Sequence, residues 1–229
     1  MKIKGVLPKI ARLYIGLFIF ALGIVTTINA NFGLQPWDVL HQGISINTSL
    51  TLGQASIIVG LLLLAINFYL GERIGWATIA NIVFIGIFID FIMSMEMIPI
   101  GSSFVMALVM AVIGMFLLGL GSALYIGVGL GAGPRDGIMV AFTKRTTQSV
   151  RLIRSSIEAS VLVVGYLLGG TVGIGTLIMA LSVGYFIQLA FKICKFNIRK
   201  IKHRYIDEDI RLIKNWMQQR KNIKIKAKE

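Results

Sequence analysis

Six long apolar stretches run along this chain, at about residues 10–30, 52–71, 75–94, 104–128, 152–170 and 172–192. Each approaches the roughly 20 residues that an α-helix needs to cross the hydrocarbon of a bilayer. The pattern predicts an all-α, polytopic membrane protein with about six transmembrane helices. Two short segments break it: GLQPWDVL at residues 33–40 and GAGPRDGI at residues 131–138. Pro36 and Pro134 suit the first position of a helix, where the missing N–H would have had no partner. Asp38 and Asp136 then fall in the first turn, where a negative charge gains about 0.3–1 kcal/mol from the helix dipole. Each break thus reads as a tight turn at Gly33, or at Gly131 and Gly133, followed by a helix too short and too polar to span alone.

The breaks belong to a repeat. At an offset of 98 residues, Gly16 falls on Gly114, Phe18 on Phe116 and Leu22-Gly23 on Leu120-Gly121. The same register places Gly33, Pro36 and Asp38 on Gly131, Pro134 and Asp136, and continues through Gly75 on Gly173, Thr78 on Thr176 and Phe88-Ile89 on Phe186-Ile187. The expected organisation is a three-span unit over residues 1–100, a second over 101–195, and a tail over 196–229. Three crossings is an odd number, so the second unit should lie upside down relative to the first.

Charge supports this topology. Residues 33–56 contain no Lys or Arg, whereas the equivalent residues 131–154 contain Arg135, Lys144, Arg145, Arg151 and Arg154. With the basic N-terminus inside, every loop Lys and Arg falls on the cytoplasmic side, as does the C-terminal tail. The N-terminal apolar run has no convincing cleavage site and is read as a retained span. Composition agrees, with 56% hydrophobic and 14% charged residues in 229. Of the 23 Lys and Arg, four lie in residues 1–12 and thirteen in residues 192–229. The net charge of +13 therefore belongs to the ends, and anionic lipid headgroups are the expected partner rather than nucleic acid. In the tail, Ile206, Ile210, Ile213 and Met217 recur at helical spacing among Arg211, Lys214 and Arg220, beside Trp216. Such a basic amphipathic helix either lies on anionic lipid or stays solvated, and a cytoplasmic partner is a third reading.

The Gly-x-x-Pro-x-Asp segment after the first span, GVGLGAGPRDG in the second copy and the short three-span unit resemble the YczE/YyaS/YitT family of bacterial integral membrane proteins. The resemblance covers about residues 10–195. It implies a multi-pass plasma-membrane protein and no particular reaction. Members of the YitT branch usually carry a soluble C-terminal domain, and with 34 residues after residue 195 that domain is not assumed here.

Two readings of the breaks follow. Each short helix lies at a membrane surface, with Asp as a helix-start residue, or the two enter from opposite sides and meet near the midplane across a pseudo-two-fold axis. Irregular backbone at that depth requires a covering of protein or a water-filled cavity, and several transporter folds place substrate there against helix N-termini. On the second reading Gly33, Pro36, Asp38, Gly131, Gly133, Pro134, Arg135 and Asp136 form a substrate site, with Arg135 an anion contact. Asp90, Glu158 and His41 are candidates for proton coupling. The bland alternatives are a wet Asp90 at the interface, an ion pair of Glu158 with Arg154 one helical turn away, and an interfacial His41. Trp37 reads as an interface anchor, and Asn67 and Asn81 as hydrogen bonders near the turn at Glu72-Arg73.

Other chemistry finds little footing. Cys194 is the only cysteine and His41 and His203 the only histidines, which leaves no metal or redox cluster and implies no cofactor. GLGSALYIGVGLGAG contains GxG pairs, but a spanning helix precedes it where a dinucleotide fold needs a strand. No hydrolase or acyl-transfer motif is present, so no enzyme is expected. The expected function is a secondary carrier or channel-like transporter for a small solute of unknown identity, with a homo-oligomer as one assembly. The alternative is an accessory membrane protein that binds a partner through its inner loops and tail.

Overall fold

The structure, a computed structural model, describes residues 7–195, 201 and 203–226. Its helices are α1 (Leu7–Asn29), α2 (Pro36–Asn47), α3 (Leu52–Tyr69), α4 (Trp76–Ser94), α5 (Phe104–Ile126), α6 (Pro134–Arg145), α7 (Val150–Leu167), α8 (Ile174–Ile193) and α9 (Ile206–Lys226). No strand occurs among the described residues. The helix starts follow from local chemistry. Thr51 accepts from the Gln54 amide while the Gln54 side chain accepts from the Thr51 amide, and Ser103 and Ser149 cap α5 and α7. Each satisfies an amide that the helix itself leaves without a partner. Pro36 and Pro134 open α2 and α6 as expected.

Among the described residues five helices, α1, α3, α4, α5 and α8, are long and apolar enough to cross a membrane. The sixth expected span, α7, equals α3 at 18 residues but carries Arg151, Arg154 and Glu158. Exposed Leu62, Ile87, Val109 and Leu181 give the outer surface the apolar character of a lipid-facing wall.

Contacts made by one unit recur with the units exchanged. A Cβ on Gly16 would strike the backbone of Tyr125, and one on Gly23 that of Leu118, so α1 and α5 pack closely and run antiparallel. The amide of Ala77 donates to Leu130 O, and that of Gly175, its counterpart, donates to Phe32 O, the counterpart of Leu130. Gly33 (φ +122°) lies against the turn at Gly173–Thr176, and Gly131 (φ +116°) against Gly75–Thr78. Thr78 Oγ1 ties the second of these turns together, accepting from the Gly75 amide and donating to Ala132 O. Each break is therefore anchored by the other unit.

The exchange fails in one place. α3 and α4 pack along a seam where Gly53 and Gly86 meet backbone to backbone. At its end Asp90 accepts hydrogen bonds from Thr51 Oγ1 at 2.5 Å and from the Gly53 amide at 2.9 Å. Among the described residues α7 and α8 form no such seam: α7 packs on α2 and α6, and α8 on α5. Gly184, the counterpart of Gly86, has open space where a Cβ would go.

Candidate functional site

The two short helices are not laid on the surface. Pro36, Trp37, Asp38, Val39, His41 and Gly43 of α2 are buried, as are Pro134, Ile138 and Ala141 of α6. Their N-termini converge on a cavity of about 200 Å³ to which every helix from α1 to α8 contributes. Pro36, His41, Gly133, Pro134, Arg135 and Asp136 line it directly, and Glu158 reaches it from α7. Gly33 and Gly131 lie behind the breaks and shape them through the turns described above.

The Arg135 guanidinium stands over the Trp37 ring, 4.7 Å from its centroid. These two residues occupy equivalent positions in the repeat, so the helix starts meet each other. Trp37 is 8% exposed and belongs to the core, not to an interface belt as its sequence suggests, because α2 folds inward. Asp38 and His41 form a second pair, Oδ1 to Nδ1 at 3.5 Å, with side chains 2% and 1% exposed. Neither that oxygen nor either ring nitrogen has a hydrogen-bond partner. Such groups are costly to bury unsatisfied. Arg154 and Glu158 pair at 2.9 Å. No carboxylate lies within ion-pair distance of Arg135 among the described residues.

The remaining sequence candidates fall outside this cluster. Asp90 belongs to the α3–α4 seam. Asn67 donates to Pro134 O at 2.7 Å, bracing the start of α6, whereas Asn81 lines the cavity. Sequence reasoning missed Tyr125, which is buried with its hydroxyl against Gly133, and Ser122. Both lie on α5 within an otherwise apolar span, where a tyrosine and a serine are ordinary packing residues. Trp37 had a signal: its repeat partner is Arg135.

A smaller cavity of about 90 Å³ lies on the other side of α6 and shares Gly133 and Asp136 with the first. The tail closes it. His203 Nδ1 accepts from the Gly131 amide, the Arg204 amide donates to Gly129 O, and the Ile206 amide donates to Ile74 O. Burial holds His203 below the usual imidazole pKa. Arg73 pairs with Asp207 at 2.8 Å and Glu208 at 2.7 Å, and Trp76 donates to Asp209. The hydrogen bond from Arg73 holds the Asp207 carboxyl below its ordinary range. The tail, basic as a whole, thus docks through an acidic start; the Ile213 and Arg220 side chains lie outside the described residues.

A family model described as a family of unknown function, DUF6198, matches residues 7–192. The chain belongs to the DUF6198 family. An uncharacterized protein of Haemophilus influenzae is 36% identical over 184 residues, covering 80% of this chain and 84% of its own length. The uncharacterized membrane protein YczE of Bacillus subtilis is 33% identical over 181 residues, covering 77% and 82%. YyaS of Bacillus subtilis is 30% identical over 168 residues, covering 72% and 83%. These matches bear out the resemblance to YczE and YyaS, and with its apolar helices this DUF6198 chain is a multi-pass integral membrane protein. No solved structure matches it.

Proposed function

We propose that this chain is a secondary carrier for a small solute, which loads between the N-termini of α2 and α6. The contact of Trp37 with Arg135 carries this reading: two broken helices meet inside the helical body, around a cavity, at a guanidinium with no ion-pair partner among the described residues. A cavity that holds Arg135, Asp136, Arg154 and Glu158 within a lipid-facing structure suits a function that needs water and charge there. With the basic N-terminus in the cytoplasm of a bacterial cell, the α6 break and the tail face inward. On this reading the α3–α4 seam closes the outer route, and the α7–α8 side, which has no such seam among the described residues, is the route from inside.

The test is uptake into proteoliposomes by wild type and Arg135→Gln, using a solute first found by its thermal stabilisation of the purified protein. The variant should lose both stabilisation and uptake by tenfold or more. Uptake unchanged in Arg135→Gln would sink the assignment of the cavity as the carrier site. The exposed Ile210, Leu212, Trp216 and Met217 of α9 favour a second role for the tail, on anionic lipid or on a partner. If deleting residues 198–229 abolished function while Arg135→Gln left it intact, the accessory reading would replace the carrier.

A further inference from the structure

We propose that the solute is an anionic amphiphile, its charged headgroup held on Arg135 and its hydrocarbon chain leaving the cavity between α7 and α8 into the bilayer. The proposal rests on the carrier reading and adds the class of solute and the path of its apolar part.

The first observation is why one side of the molecule closes and the other does not. Gly53, Ser56 and Gly60 recur along one face of α3, and such small residues let α4 come close: a Cβ on Gly60 would stand 2.9 Å from Ile82 Cγ2. Their counterparts in α7 are Arg151, Arg154 and Glu158. Long charged side chains thus stand where the first unit has two glycines and a serine, and among the described residues α7 and α8 form no seam. On the facing helix Ala180 takes the place of Ile82, which removes bulk from that wall as well. One turn further along α8, a Cβ on Gly184 would meet nothing within 4 Å.

The second observation is what borders this side. Arg154, Ile157 and Glu158 of α7 and Ala180, Val183 and Ile187 of α8 line the cavity, and all six keep part of their surface exposed. Gly184 lies between these cavity residues and the outer face of α8, where Leu181 and Tyr185 are 75% and 74% exposed. The rim therefore leads from a charged interior to hydrocarbon. A wholly polar solute has no favourable contact along such a rim, whereas a molecule with one charged end and one apolar end matches both sides of it.

The third observation is size and charge. At about 200 Å³ the cavity is smaller than the roughly 300–1,000 Å³ of sites that enclose a whole drug-sized ligand. It can take a headgroup, and a long chain must lie outside. Arg154 is already paired with Glu158 at 2.9 Å, and Asp136 lies against Gly133 at the start of its own helix. Arg135 instead stacks on the Trp37 ring and has no ion pair among the described residues, so its in-plane N–H donors remain for a carboxylate or a phosphate. One free guanidinium suits one anionic headgroup.

The experiment uses the purified full chain in a neutral maltoside detergent and reads its thermal stabilisation by dodecanoate and dodecyl phosphate. Acetate and inorganic phosphate serve as anions without a chain, and dodecanol and dodecyltrimethylammonium as chains without an anion. A chain-bearing anion should stabilise at concentrations at least about tenfold below those its chainless counterpart needs, because only the former buries hydrocarbon. Dodecanol and the cation should have no effect. Arg135→Gln should lose the response. Gly184→Leu, which puts a side chain into open space at the rim, should weaken the response to the chain-bearing anion by about tenfold and leave that to the chainless one as in wild type. Should Gly184→Leu fail to fold, the comparison of chain-bearing with chainless anions on wild type still decides. Equal responses to the two overturn the chain, and stabilisation by dodecanol or the cation in place of the anions overturns the headgroup. A response that persists in Arg135→Gln overturns its contact, and one undiminished in Gly184→Leu overturns the route. If Gly184→Leu instead lowered the mass of the particle, a second copy would cover this side of the molecule and the route would fall with it. No stabilisation by either chain-bearing anion overturns the inference as a whole. The carrier reading survives each of these results and falls only if Arg135→Gln leaves uptake of its own solute unchanged.

Discussion

Gly33 and Gly131 position the site by what they lack. Both sit at positive φ, and a Cβ on Gly33 would come within 2.8 Å of the Thr176 amide. Gly33→Ala therefore combines a left-handed backbone with a collision against backbone that has nowhere to move, and should cost about 1–3 kcal/mol. Gly71 provides the control, since it shares the positive φ (+70°) but has open space around it. Gly71→Ala should cost no more than about 1–2 kcal/mol. Unfolding of both variants in detergent measures the difference, and equal losses would show that crowding at the break contributes nothing. The glycines were visible in the sequence as repeated positions. Their crowding was not, because the atoms they avoid come from the other unit, about 140 residues away for Gly33 and Thr176.

At the scale of elements, the tail shows how composition can mislead. Its many Lys and Arg conceal Asp207, Glu208 and Asp209, and these three acids make the contacts that dock the start of α9. Arg73 lowers the Asp207 pKa, so this contribution to docking is present above the ordinary carboxylate pKa and is lost as pH falls through the lowered value. The protection factor of the Ile206 amide, bonded to Ile74 O, should be high at neutral pH and should fall once pH drops through the lowered Asp207 value, after the slower intrinsic exchange in acid is divided out. Arg73→Gln should produce the same release at neutral pH. Protection that persisted in the variant would assign docking to the backbone bonds alone. The spans themselves were legible, because apolar length and Pro36 and Pro134 mark them locally. The direction of α2 was not: a tryptophan beside a proline reads as a surface anchor until the helix is seen to turn inward. The 98-residue register offered the correction by pairing Trp37 with Arg135.

For the molecule as a whole, the two seams give a directional test. Ser56 lines the cavity and is 9% exposed, and the native Cys194 can first be replaced by serine. Ser56→Cys in that background should react with a membrane-impermeant thiol reagent from the side opposite the Asp90 clasp, where no seam closes the cavity, and not from the other. Adding Asp90→Ala removes the acceptor of the Thr51 and Gly53 bonds and should make the second side reactive. Labelling from both sides before that change would mean that the α3–α4 seam is no barrier.

The unequal seams have a kinetic meaning. Asp90 has Gln188 as its counterpart, and Gly53 has Arg151, so the clasp that closes one seam has no equivalent on the other. If the molecule alternates between two mirror-related forms, the halves of its cycle are not isoenergetic. Such a machine rests in one form and pauses there, like a turnstile with one stiff spring. The resting bias leaves the final gradient untouched, since that depends only on the driving ions, but it makes the initial flux differ with the side from which the cargo arrives.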